Sequence, residues 1–229
     1  MLFQCKEDDP APIVCYMTSL TEVQGGNVYL QTISYNEDNT VGMVSYIGGG
    51  LITTVTYSYG PEGRAISADY VGVGLPAKET FEYDDSGNLI KAEFRVGSTL
   101  STSEYSYNSD GQLVQAIFKG NNYEETDDYV YPDNTTKNYS SVNYSYRVGS
   151  VTTEGSNEYE YDDKHNPKHR IPGEALISKN NTVRKKATVA GNVSVTNYEY
   201  TYNSNGYPIS TTISTIGSSI SHSISYQCK

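Results

Sequence analysis

Residues 79–96 read Glu79-Thr80-Phe81-Glu82-Tyr83-Asp84-Asp85-Ser86-Gly87-Asn88-Leu89-Ile90-Lys91-Ala92-Glu93-Phe94-Arg95-Val96, and this stretch decides the fold class. The first five alternate with period two, which puts Phe81 and Tyr83 on one face of a strand and Thr80 and Glu82 on the other. Asp84 to Asn88 carries turn chemistry, because Asp and Asn bond their own backbone and Gly87 accepts a positive φ. Leu89 to Val96 alternates again, with Ile90, Ala92, Phe94 and Val96 set against Lys91, Glu93 and Arg95. The stretch is a β-hairpin with one wet face.

The same phrase recurs along the chain. Its copies are Ile33-Ser34-Tyr35-Asn36, Tyr57-Ser58-Tyr59-Gly60, Phe81-Glu82-Tyr83-Asp84, Tyr105-Ser106-Tyr107-Asn108 and Tyr129-Val130-Tyr131-Pro132, with anchoring tyrosines spaced 24 apart. Looser copies follow at Tyr159-Glu160-Tyr161-Asp162 and Tyr200-Thr201-Tyr202-Asn203. A fixed period marks a repeated supersecondary unit. Each period holds two strands and two turns, the return turn being Arg95-Val96-Gly97-Ser98 in the unit quoted above, so seven phrases imply about fourteen strands in an antiparallel up-and-down meander. A flat sheet of that size would expose its edges, so an all-β sheet rolled into an open or closed barrel is expected. Gly48-Gly49-Gly50, Gly72 and Gly74 are candidate kinks for the rolling.

Composition limits what such a sheet does. The 229 residues fit one all-β domain from 15 to 229 behind a tail of residues 1–14. With 23 Tyr, 4 Phe and no Trp, the buried face must use rings that carry a polar tip. A net charge of −11 and a basic run of only Arg184-Lys185-Lys186 argue against nucleic acid. No apolar stretch approaches the length of a membrane helix.

The opening Met1-Leu2-Phe3-Gln4-Cys5-Lys6-Glu7-Asp8-Asp9-Pro10 looks like a bacterial lipoprotein processing site with its signal cut short, with Cys5 as the acylated residue and the acidic run as a solvated tether. The other account is a free cysteine in a disordered tail. Cys15 opens the first strand and Cys228 closes the last. If those strands are neighbours the two cysteines can bridge, and if not they are unpaired small apolar residues. From about 164 to 186 the rhythm breaks: His165-Asn166-Pro167-Lys168-His169-Arg170-Ile171-Pro172-Gly173 has two prolines and no alternation, and Glu174 to Ser178 could form one helical turn. A loop of this kind inside a meander is a functional insertion or a plug over one end of the sheet.

The phrase of tyrosine, spacer, tyrosine, Asp or Asn, two residues and Gly is similar to the tyrosine–aspartate repeats of bacterial wall-associated and Rhs-type proteins. The chain as a whole resembles a family of secreted bacterial lipoproteins of unknown function with a porin-like fold. The shared features are the acidic tail after a cysteine, the start Cys15-Tyr16-Met17-Thr18-Ser19-Leu20 and the hairpins of the Phe81–Phe94 type. They continue with Tyr161-Asp162-Asp163-Lys164-His165-Asn166-Pro167, Ser178-Lys179-Asn180-Asn181 and the late Tyr202-Asn203-Ser204-Asn205-Gly206-Tyr207-Pro208. The resemblance implies a cell-envelope lipoprotein anchored at the outer membrane, and it carries no catalytic residue across. It does not imply a pore, since Thr53-Thr54-Val55-Thr56-Tyr57, Ser101-Thr102-Ser103-Glu104-Tyr105 and 218–225 are rich in hydroxyls where a membrane barrel needs an apolar band.

Catalytic patterns are absent. Asp84-Asp85, Glu124-Glu125, Asp127-Asp128 and Asp162-Asp163 are adjacent acids that read as turn residues or as opposite faces of a strand, not as a pair facing one substrate. His165 and His169 have ligand spacing only on a helix, which Pro167 opposes, so no metal is expected. His222 falls in a Ser-rich strand and reads as wet-facing. No nucleophile elbow and no phosphate loop occur, and no cofactor is expected. Tyr198, Tyr200 and Tyr202 form a ladder on one strand face, either core or, if the face is concave and open, a stacking platform for a ligand. The expectation is a non-enzymatic envelope lipoprotein, a binding or adhesion module that meets the membrane through its lipid only and takes a glycan, a protein or a small apolar ligand. The alternatives are a periplasmic half-barrel carrier of an apolar ligand and, third, a glycan-acting hydrolase.

Overall fold

The computed structural model describes residues 13–72, 74, 76–172 and 178–229. Cys5 and most of the expected tether lie outside the described residues, as does the helical turn expected at 174–178 save for Ser178. The chain runs as β1 Cys15–Gln24, β2 Asn27–Tyr35, β3 Val41–Gly48, β4 Leu51–Tyr59, β5 Ala65–Val71, β6 Ala77–Tyr83, β7 Leu89–Val96 and β8 Thr99–Tyr107. It continues as β9 Leu113–Gly120, β10 Tyr123–Val130, β11 Ser141–Val148, β12 Val151–His165, a 3-10 turn at Pro167–Arg170, β13 Asn180–Val189, β14 Asn192–Tyr202, β15 Pro208–Thr215 and β16 Ser218–Cys228. Every strand pairs antiparallel with its sequence neighbours, and β1 pairs with β16 to close a sixteen-stranded barrel. The seven phrases account for fourteen strands; β1 and β16 flank them and supply the seam.

The two ends differ in construction. At one end lie five-residue turns of a single design: Asp84 N–H donates to Asn88 O at 2.9 Å and Gly87 N–H to Asp84 O at 3.0 Å, and the pattern repeats at Asn36–Thr40, Gly60–Arg64, Asn108–Gln112 and Asn203–Tyr207. The acidic or amide side chain staples the turn, as where Asn108 Oδ1 accepts from the N–H of Asp110 and of Gln112. At the other end most strands reverse through two residues. Gly49 and Gly50 both take positive φ there, so this glycine run is a hairpin tip and not a kink within a strand.

A bulge opens each odd strand except β11, whose pairing with β10 runs without a shift. Opposite β2, Tyr35 pairs with Val41 but Ser34 with Met43, leaving Gly42 over; opposite β6, Tyr83 pairs with Leu89 and Glu82 with Lys91, leaving Ile90 over. Strict alternation placed Ile90 with the core; the bulge turns Leu89 inward instead, 6% exposed against 37% for Ile90. The same slip leaves over Thr18, Ile66, Val114, Val183 and Ile209. On the next strand over, the ladder stops short of the residue before the bulge: β3 pairs with β4 only from Met43 onward, and β7 with β8 only from Lys91. The stranded carbonyl is taken by a tyrosine hydroxyl eighteen residues on. Tyr35 donates to Met17 O at 2.8 Å, Tyr59 to Val41 O at 2.7 Å, Tyr107 to Leu89 O at 2.9 Å, Tyr200 to Thr182 O at 2.9 Å and Tyr226 to Pro208 O at 2.8 Å. Tyr131 bonds the Leu113 backbone in the same way. Burial pushes the Tyr59, Tyr107 and Tyr131 phenols up to about 12, so they remain donors.

The inward face forms the core. Met17, Leu20, Val44, Val55, Ala68, Phe81, Ala92, Ala116 and Ile224 are buried along it, with the anchoring tyrosines packed against them. Cys15 and Cys228 sit opposite each other on the β1–β16 seam and form a disulfide, their Cα atoms 3.9 Å apart. β12 extends to His165 and β13 begins at Asn180, so the irregular stretch is shorter than the 164–186 that lost alternation indicated. The Val183 bulge and the polar start Asn180-Asn181-Thr182 hide the period there. Ile171 packs into the core cluster, so the insertion enters the barrel.

Tyr107→Phe is expected to lower unfolding free energy by about 1–2 kcal/mol, because it leaves the Leu89 carbonyl without its donor. Tyr83→Phe serves as the control: its hydroxyl bonds no described residue and its ring, under the Arg64 guanidinium at 5.8 Å, is retained. Denaturant titration of both variants checks the difference, and equal losses would refute the role of the hydroxyl.

Candidate functional site

Inside the barrel, β10, β11 and β12 line a recess of about 370 Å³. From β10 come Tyr123, Glu125, Asp127 and Tyr129, which alternate inward, while Glu124 and Asp128 point out to Arg147 at 2.8 Å and Gln115 at 2.9 Å. From β11 come Val142, Tyr144 and Tyr146, and from β12 Asn157 and Tyr159. Register sets the geometry: Asp127 pairs with Tyr144 and Tyr144 with Gly155, so these three form one row across the wall. Gly155 has no side chain, and a Cβ built there would collide with the Tyr144 ring and come within 2.8 Å of the Thr188 carbonyl. The ring therefore folds down over the glycine, and Tyr146 stacks beside it with centroids 6.3 Å apart.

Tyr139 closes the recess from the loop between β10 and β11. Its ring meets Tyr129 edge-on at 5.1 Å and Tyr159 at 5.2 Å. That loop is held by Ser140 N–H to Val130 O at 2.7 Å, by Gln112 Nε2 to Asp133 O at 2.8 Å and by Asn138 Nδ2 to Asn180 Oδ1 at 2.9 Å.

The recess is rich in acceptors. Asp127 Oδ1 is buried and has no hydrogen-bond partner among the described residues, and Oδ2 has only a long bond from Tyr129 at 3.4 Å. Burial, reinforced by the Glu125 charge beside it, pushes the Asp127 carboxyl up to about 6. No described basic side chain lines this recess. Lys185 on β13 instead places its ammonium over the Tyr159 ring, 5.9 Å from the centroid.

A second recess of about 290 Å³ lies against β1–β4 and contains Glu22, Tyr29, Gln31, Tyr46 and Thr53, with Lys168 reaching in from the insertion. It repeats the device of a tyrosine folded over a glycine, Tyr29 over Gly48. His222, read from the sequence as wet-facing, lies on the inward row with Ile220 and Ile224 and bonds Glu22 at 3.0 Å. The serines alternating with it, Ser219, Ser221, Ser223 and Ser225, take the outer face.

The residues singled out from the sequence are distributed differently. Tyr198, Tyr200 and Tyr202 share the inward face of β14. The Tyr200 and Tyr202 hydroxyls are held by the Thr182 carbonyl and the Asp162 carboxylate, and none of the three lines the β10–β12 recess. Asp162 is not a turn acid but a hub on β12: it also accepts from the Asn181 backbone at 3.0 Å and the Lys164 backbone at 3.0 Å. Asp84 does sit in a turn, stapling Asn88. Arg184 and Lys186 point outward to Glu160 at 2.6 Å and Glu158 at 2.7 Å. No group of acids, histidines and cysteines suited to a metal ion occurs among the described residues. Glu125 and Asp127 were missed, although their parity with Tyr129 places them on the core face.

The fold is that of a porin-like barrel. Solved structures similar to it include a porin-like protein from Bacteroides vulgatus, TM-score 0.63 at 10% identity over 93% of this chain and 99% of that one. Another is a porin-like protein from Bacteroides uniformis, TM-score 0.58 at 11% identity over 92% and 96%. A family model described as an uncharacterised protein matches residues 15–159, more than half of the 229 residues, and the chain belongs to that family. No curated protein matches it.

Because burial raises Asp127 to about 6, the folded protein holds that proton more tightly than the unfolded chain does. The contribution is full below the ordinary aspartate value and is lost as pH rises through about 6. The groups facing it are Glu125 on its own strand, Asp128 behind it, and the phenols of Tyr129, Tyr139, Tyr144 and Tyr159. Thermal melts from pH 4 to 7 should therefore show wild type losing stability relative to Asp127→Asn as pH rises. Parallel curves would show that Asp127 is not buried as described.

Proposed function

We propose that this chain is a non-enzymatic barrel of the bacterial cell envelope, tethered through a lipid on Cys5, that holds a small polar ligand in its lumen. The observation that carries the reading is the β10–β12 recess. Its size falls within the range of small-molecule sites, and it joins aromatic walls to a few convergent polar groups.

The outer wall supports a barrel standing in water. β16 presents Ser219, Ser221, Ser223 and Ser225 outward, and β12 presents Thr152, Glu154, Ser156, Glu158 and Glu160. A bilayer-spanning barrel would carry an apolar band at such positions. Backbone bonds between Val14 and Lys229 at 3.0 and 2.9 Å fix the start of the barrel at the end with the five-residue turns. The recess reaches Tyr123 at the opposite end, away from the point where the chain enters the barrel.

The lining also separates the remaining alternatives. A carrier of apolar ligands needs a continuous apolar cavity, whereas phenols and carboxylates dominate here. Hydrolysis of a glycan needs two carboxyls about 5–10 Å apart across the substrate. Glu125 and Asp127 stand side by side on one strand, so they meet a ligand from the same side and not across it, which suits binding. Adhesion would use the outer wall, and the recess gives no support to it.

Ligand-observed NMR with mixtures of small polar compounds tests the lumen. Binders should appear with wild type and vanish with Asn157→Trp, which fills the recess, provided its melting temperature is kept. Absence of any binder sensitive to this change would discard lumen binding. Intact mass of the protein produced from its complete gene in a bacterial host tests the tether. Acyl mass on Cys5 is expected, and an unmodified cysteine would remove the anchor while leaving the recess.

A further inference from the structure

We propose that the β10–β12 recess is a site for a small organic cation, its ammonium seated on Asp127 and Glu125 and its carbon skeleton among the rings of Tyr129, Tyr144, Tyr146 and Tyr159. The inference rests on the lumen-binding reading above and names the chemistry that reading leaves open.

Three independent features converge on positive charge. First, the two carboxyls face the same cavity from one strand, and Asp127 Oδ1 is buried without a partner among the described residues. A buried acceptor without a donor is costly, and a bound ammonium supplies both the donor and the counter-charge. Second, the walls are phenol rings, whose faces carry negative potential and attract cations. The barrel already uses this interaction one strand away, where the Lys185 ammonium lies over Tyr159. Third, Arg147, Arg184 and Lys186 are engaged on the outer surface with Glu124, Glu160 and Glu158, and Lys185, which shares the inward face, is drawn onto the Tyr159 ring and does not line the recess. No described basic side chain therefore lines the recess beside the two acids. Gly155 contributes indirectly, because the absence of a Cβ lets the Tyr144 ring lie back and opens the space in front of Asp127.

A neutral sugar would also stack on tyrosine and donate hydroxyls to carboxylates. It would not relieve the repulsion between two adjacent acids, whereas a cation relieves it directly. Ammonium binding should require an ionised Asp127 and should weaken as that carboxyl takes up its proton.

Isothermal titration calorimetry of the full chain with n-butylammonium, and with glucose as the neutral probe, tests the assignment. At pH 7.5 butylammonium should bind at one site, and its affinity should drop about tenfold or more in Asp127→Asn and on lowering the pH to 5. Tyr159→Phe, which keeps the ring face, should bind nearly as wild type, while Tyr159→Ala should weaken binding several-fold. The melting temperature of each variant separates loss of the site from loss of the fold. Butylammonium binding that is indifferent to Asp127→Asn would overturn the inference. So would glucose binding without butylammonium binding, an outcome that leaves the lumen as a ligand site and identifies it as one for neutral polyols. Heat from neither probe would likewise overturn it, and the NMR screen then decides whether the lumen binds anything else.

Discussion

The barrel depends on a hydrogen bond between a tyrosine hydroxyl and a carbonyl eighteen residues behind it. Bulges raise local twist, which helps a broad sheet to curl and close, but each one dislocates the ladder and strands a backbone oxygen. Here the carbonyls of Met17, Val41, Leu89, Thr182 and Pro208 all lie just ahead of a bulge, and each receives a phenol from the partner strand of its own hairpin. Phenylalanine could fill the same volume but could not make this bond. That is the physical reason for six of the 23 tyrosines. Phe81 keeps its ring because it packs inward opposite Ala92 in mid-strand, away from the bulge.

The repeat spacing made the strands, the turns and the hairpin order legible, because all three are local. Closure was not legible: pairing Cys15 with Cys228 joins residues 213 apart, and no neighbouring pattern encodes it. The bulge was the other hidden feature. It shifts parity by one residue, so a period-two reading that began at Ile90 set the wrong residue inward at the start of the strand and the right ones after it. His222 was misplaced for a different reason: its parity with Ile220 and Ile224 was plain, but the polarity of imidazole outweighed it in the reading. Glu125 and Asp127 failed in the same way. Acidic doublets resemble turn residues, and only their phase relative to Tyr129 reveals that one acid of each doublet points into the barrel.

Sixteen strands enclose more space than one layer of side chains can fill. The sequence fills it unequally. In mid-strand, rings and aliphatic side chains pack against fully buried Val44, Ala68 and Ala116, and the insertion adds Ile171. Toward the two-residue hairpins, Gly48 and Gly155 let Tyr29 and Tyr144 lie flat, and recesses remain in front of them. Packing and vacancy thus share one wall, with Ala116 of the core in register with Asp127 of the recess, and the same tyrosine-rich composition serves both.

Charge follows the two faces of that wall. Lys78 with Asp69, Lys91 with Glu82 and Glu93, Lys119 with Glu104, Arg147 with Glu124, Arg184 with Glu160 and Lys186 with Glu158 all pair across or along strands on the outside. Exposed pairs of this kind add little stability singly. Their larger consequence is distribution, since these cations are held outside and, of the inward ones, Lys185 lies on the Tyr159 ring and Lys168 in the other recess, so none lines the recess of Glu125 and Asp127. The net charge of −11 is therefore not a uniform surface property. Part of it is enclosed at Glu125 and Asp127, where low polarity and the quadrupoles of surrounding rings make each uncompensated charge count for more than it would in water.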